Sequence, residues 1–191
     1  MSFAGLGVLE IGLCISFLLF GVVISQSVIY FRRYSRDDPG FLNCLVSFVL
    51  ILELAHSAVI IGMIYSISIT FSHLTIIPQN SYFLATTNVL ENLLSLVVQS
   101  FFSYRVFRLS KRFSLGLLCW ALSTLRFACG VAVAVESYID VPRVPNGIVL
   151  ITKFGWLITL AFVLGGLVDV VIAALQVWYL RDVVKGLQDM R

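Results

Sequence analysis

Five long apolar segments, residues 5–31, 41–71, 82–106, 114–138 and 154–180, take up most of this sequence. A helix needs about 20 mostly apolar residues to cross the hydrocarbon core of a bilayer, and each segment is long enough. Lipid offers no partner to a peptide N–H or C=O, so a crossing segment must close its own hydrogen bonds as a helix. The expected fold is therefore all-α: a polytopic helical bundle with five transmembrane helices, one transmembrane domain over residues 1–191. Short polar hinges separate the segments: RRYSRDDPG (32–40), SHLTIIPQN (72–80), FRLSKR (107–112) and IDVPRVPNGI (139–148). In the last of these, Pro142, Pro145 and Gly147 stop the fourth helix. The tail RDVVKGLQDMR (181–191) is too short and polar for another span and is expected to extend the fifth helix along the membrane surface.

Composition points the same way. The chain is 60% hydrophobic and 12% charged, with a mean hydropathy of +1.01, whereas a soluble domain carries about 25% charged residues. The bilayer is thus the first partner, with other membrane helices or subunits next. Nucleic acid is excluded as a partner because the basic residues sit in short hinges rather than on a broad surface. No Lys or Arg precedes Arg32, so the first segment reads as a retained span and not a cleaved signal peptide. Ser2 at the second position excludes the myristoylation pattern, and the end of the chain has no prenylation box. Cys14, Cys44, Cys119 and Cys129 all fall within apolar segments and form no CxxC pair, which suits packing rather than redox or zinc chemistry.

The basic residues orient the bundle. Arg32, Arg33 and Arg36 fall on one side with Arg105, Arg108, Lys111, Arg112, Arg181, Lys185 and Arg191. Arg143 and Lys153 face the other side, and Arg126 lies inside the fourth segment. Positive loops stay in the cytoplasm, so the N-terminus is expected outside and the tail in the cytoplasm, at the plasma membrane or an endomembrane.

Ionisable groups inside a membrane usually face the bundle interior and pair with one another. Here they are Glu10, Glu53, His56, Glu91, Arg126 and Asp169, with Glu136 near an outer end. At about 1.5 Å of rise per residue, Glu53, His56 and Arg126 fall near mid-depth, with Asp169 roughly 3 Å to the cytoplasmic side and Glu91 about 5 Å to the outer side. Glu53, His56, Glu91, Arg126 and Asp169 form the candidate intramembrane polar network. The preferred pairing is Arg126 with Asp169 or Glu53, and His56 beside Glu53. On the third segment Asn88, Glu91, Asn92, Ser95, Gln99 and Ser103 recur at helical spacing on one face. That stripe fits either inter-helix hydrogen bonding or a wet cavity lined by Asn88, Asn92, Ser95 and Gln99. The fifth segment carries a weaker counterpart in Thr159, Gly166, Asp169, Ala173 and Gln176.

Glu53-Leu-Ala-His56 has the Glu-x-x-His spacing of di-iron bundles, which need two such motifs and further glutamates. The chain has 2 histidines, so no metal or cofactor is assigned. No catalytic Ser/His/Asp set, phosphate loop or dinucleotide motif occurs, and the chain is not read as an enzyme.

Several stretches together carry a family resemblance: SVIYFRRYSRDDP (27–39), ELAHSAVI (53–60), VQSFFSYRVFRLS (98–110), LRFACG (125–130) and VDVVIAALQVWYLR (168–181). In their order and spacing the chain resembles a large family of multi-pass membrane proteins of mushroom-forming fungi that is defined as a domain of unknown function. The resemblance covers about residues 5–181. It implies seven spans and an external N-terminus, with Glu53, His56, Gln99, Arg105, Arg126 and Asp169 at recurring positions of the family and no activity attached to them. The last two spans do not follow Arg181, so by this resemblance the chain is C-terminally truncated.

Three readings of function remain open on the sequence. A receptor-like or sensory protein follows from the topology that the resemblance implies. A small proton-coupled transporter follows from the ionisable cluster. A structural or assembly role follows if the polar residues only specify packing.

Overall fold

The computed structural model describes residues 3–34, 40–66, 82–140 and 148–188, with side chains over 11–34, 40–66, 82–139 and 152–181. The described residues form five helices: α1 (Phe3–Arg33), α2 (Gly40–Tyr65), α3 (Tyr82–Ser110), α4 (Phe113–Asp140) and α5 (Ile148–Gln188). One helix falls on each expected segment, with ends that differ by up to eight residues. The second segment was expected to reach residue 71; α2 ends at Tyr65, and 67–81 lie outside the described residues. The fifth helix runs past residue 180 to Gln188 without a break. Its 41 residues amount to about 60 Å.

Burial runs opposite to that of a soluble bundle. Leu18, Phe41, Ile51, Trp156, Phe162 and Val170 are all more than half exposed, and such residues recur along the described parts of α1, α2, α4 and α5. A soluble monomer seldom exposes apolar patches beyond a few hundred Å², whereas hydrocarbon accepts this surface without cost. Four helices are long and apolar enough to cross a membrane: Ile11–Arg33, Gly40–Tyr65, Phe113–Ile139 and Thr152–Arg181. The protein is an integral membrane helical bundle.

α3 is not among those four, because Asn88, Glu91, Asn92, Ser95 and Gln99 interrupt its apolar sequence. It occupies the position best suited to such a helix, packing against α2, α4 and α5 at once. From Asn92 to Ser103 every α3 side chain is buried or half-buried. The α3–α4 pair is the most extensive contact, and α4 also packs on α5. Cys119, Val168 and Ile172 form a buried core with Phe102, Leu122, Val171 and Leu175 packed around it.

α1 touches α2 alone among the described helices. The Tyr30 hydroxyl donates to Asn43 Oδ1 at 2.8 Å, which ties the end of α1 to the start of α2. A two-residue turn, Lys111-Arg112, joins α3 to α4. Lys111 adopts a left-handed φ of 53°, the helix-ending conformation that glycine usually supplies. Its N–H still donates to the Phe107 carbonyl at 3.0 Å, so the last turn of α3 stays closed.

Candidate functional site

The interior surface of α4 is a run of small residues spaced alternately three and four apart. Gly116, Cys119, Ser123, Gly130, Val133 and Ser137 are buried, and Arg126 fills the same seam half-buried. That spacing keeps one face against a neighbouring helix along its whole length, and small residues allow close backbone approach in a membrane. α3 answers with Ala85, Asn88, Asn92, Ser95, Gln99 and Ser103, all buried or half-buried. The two helices approach closely at Gly116 and Gly130. A Cβ at Gly130 would collide with the Asn92 carboxamide, and one at Gly116 would lie 2.7 Å from Phe107 Cβ. Asn92 is held in place by donating Nδ2 to the Asn88 carbonyl at 2.7 Å.

The polar connection between α3 and α5 is a hydrogen bond from Gln99 Nε2 to Asp169 Oδ1 at 2.8 Å. Gln99 is only 4% exposed, and its backbone carbonyl accepts from Ser103 Oγ at 2.7 Å. Asp169 lies at the rim of the contact, exposed as a residue but with one carboxylate oxygen turned to α3. In apolar surroundings a carboxylate needs donors, and the Gln99 amide supplies one.

Arg126 reaches α5 at another point. Its guanidinium lies against Gly165, where a Cβ would come within 2.7 Å of Nε and 3.0 Å of Cζ. Gly165 and Asp169 are four residues apart and share a face of α5, so Arg126 stands one turn from the carboxylate. Among the described residues, no hydrogen bond or ion pair joins Arg126 to Asp169 or to Glu53. Asp169 instead uses the neutral Gln99 amide.

The remaining candidates are spread out. His56 is half-buried on α2, and its Nε2 is buried without a hydrogen-bond partner. Glu53 is half-buried one turn away on the same helix. Glu91 is exposed, turned off the buried face of α3. The Glu10 side chain lies outside the described ones. Among the described residues, two further buried polar atoms have no partner: Gln99 Oε1 and Gln176 Nε2.

On α5 the buried seam is Gly165, Val168 and Ile172. The polar stripe read from the sequence is displaced from it: Gly166 and Ala173 are exposed, and a Cβ at Gly166 would meet open space. Neighbouring residues differ by about 100° around a helix, so a register one residue off turns a stripe to the side of the seam. Asp169 sits between the two stripes and so reaches α3. Sequence reasoning also missed the small-residue seam of α4, whose three-four spacing was legible once α4 was taken as the partner of α3. No family model matches the chain, and neither a curated protein nor a solved structure is found to be similar to it.

Proposed function

We propose that this chain crosses the membrane five times and has a receptor-like or sensory role, admitting a polar small molecule or ion to the interior beside α3. In this reading α3 is the fifth span. Its 29 residues give about 43 Å of helix, ample for a bilayer, and its neighbours shield its polar face. The basic residues at one end of the bundle support a cytoplasmic tail and an external N-terminus. The resemblance to the fungal family supports the external N-terminus.

The observation that carries the reading is the set of buried polar atoms without partners: His56 Nε2, Gln99 Oε1 and Gln176 Nε2. A buried unpaired polar group costs about 1–3 kcal/mol, so a guest that satisfies such groups binds with that gain. Thermal unfolding of the purified protein tests this with Na⁺, K⁺, short carboxylic acids and short amines as probes. At least one probe should raise the midpoint of the wild type and lose that effect in His56→Phe or Gln99→Leu. If no probe shifts the wild type while both variants unfold at or above its midpoint, the receptor-like reading fails.

A second reading has its own observation. The Asn92 carboxamide fills the space over Gly130, and Arg126 fills the space over Gly165. Polar side chains used as wedges between helices suit a structural or assembly role, which the failed outcome above would favour.

A further inference from the structure

The outer surface of the α3–α4 hairpin carries a groove of about 360 Å³. Ser103, Tyr104 and Phe107 line it from α3, and Phe113, Leu117 and Trp120 from α4. Tyr104, Phe107, Phe113, Leu117 and Trp120 are exposed, so the groove opens sideways to the surroundings of the bundle. The Phe107 and Phe113 rings meet edge to face at 6.0 Å and close its end beside the turn. From Phe113 to Trp120 it follows α4 for about 10 Å. Because α4 is apolar enough to cross the bilayer, the groove runs from a membrane face into the hydrocarbon.

The charges stand at its mouth. Residues three or four apart on a helix share a face, so Tyr104 is continued by Arg108, and Lys111 and Arg112 form the turn that follows α3. The Lys111 N–H to Phe107 carbonyl bond keeps that last turn in register. Arg112 directly precedes Phe113, and all three basic side chains are exposed. The sequence has no acidic residue between Glu91 and Glu136, so no carboxylate from this hairpin neutralises them. An apolar channel along the helices, with cations at its membrane face that the hairpin itself leaves unneutralised, matches an amphiphile: acyl chain below, negative headgroup above.

We propose that the α3–α4 hairpin is a binding site for an anionic phospholipid. One acyl chain lies in the groove against Trp120 and Leu117, and the phosphate is held by Arg108, Lys111 and Arg112. Arg105 is two residues from both Ser103 and Phe107, about 160° around α3 from each, and takes no part.

Trp120 is the reporter. Trp156 and Trp178 are both exposed, so W156F/W178F leaves a single tryptophan in the groove of the full chain. The variant is reconstituted in phosphatidylcholine vesicles containing a minor share of either brominated phosphatidylserine or brominated phosphatidylcholine. Quenching by the brominated anionic lipid should exceed quenching by the zwitterionic one by about two- to fivefold. R108Q and K111Q should each lower that ratio, and R105Q should leave it unchanged. Equal quenching by the two lipids overturns the proposal. So does a ratio that falls as far in R105Q as in R108Q, since general surface charge would then account for it.

Discussion

Gln99 on α3 holds Asp169 on α5 through a 2.8 Å hydrogen bond, so an uncharged amide is what the carboxylate meets inside the bundle. Inter-helix bonds of this kind in membranes are worth about 0.6 kcal/mol on average and up to about 1.7. A double-mutant cycle on Gln99→Ala and Asp169→Ala, read by reversible unfolding in mixed micelles, should give a coupling energy in that range. Asp169→Asn keeps an acceptor oxygen and should lose less than Asp169→Ala. A coupling of zero would mean that the two side chains stabilise the bundle independently.

The glycines should rank by what stands opposite them. A Cβ at Gly116 meets Phe107 Cβ, with backbone atoms of Phe107 and Ser103 behind it at 3.4 Å. Nothing there moves without shifting a helix, so Gly116→Ala should cost about 1–3 kcal/mol. At Gly165 the obstacle is the guanidinium end of Arg126, which is flexible and can swing aside. Gly165→Ala should therefore be the milder substitution, and unfolding midpoints of the two variants give the order directly.

Arg126 offers a sharper contrast. A cation near mid-bilayer costs about 2.5–3.5 kcal/mol on insertion scales, and removing one member of a buried ion pair costs about 3–5 kcal/mol. Arg126 has no ion pair among the described residues. Arg126→Met keeps an unbranched stem against Gly165 and removes the charge. It should leave stability within about 1 kcal/mol of wild type and raise the membrane-inserted fraction. A loss of several kcal/mol would point to a partner beyond the described residues.

Topology can be read with introduced glycosylation acceptors, since the native sequence contains no Asn-x-Ser/Thr site. Acceptors placed at residues 72–80 and 139–148 should be modified, and one at 107–112 should not. Modification at both 72–80 and 107–112 would show that α3 does not cross the membrane.

Apolar runs were enough to locate α1, α2, α4 and α5, because hydrophobicity sustained over a bilayer's thickness leaves the backbone no alternative. The polar stripe on α3 was legible for a related reason: Asn88, Asn92, Ser95 and Gln99 share a helical face, and all are buried or half-buried. Pairing was harder to read. Charge suggested Arg126 as the companion of Asp169, yet the α3–α5 contact brings Gln99 to it. Depth along the membrane was available from counting residues, but the rotation of each helix about its axis was not. That rotation separates Gly165 from Gly166 and turns Glu91 outward.

The two-residue turn between α3 and α4 bears on how the chain enters its membrane. In the five-span reading, α3 is too polar to partition into lipid by itself and has Arg105 and Arg108 at its trailing end. With Lys111-Arg112 as the whole connection, α3 can be followed at once by α4, whose Gly130 lies against Asn92. The unit of biogenesis is then the hairpin. On that reading α3 would enter the bilayer together with α4, its polar seam already closed against the partner helix.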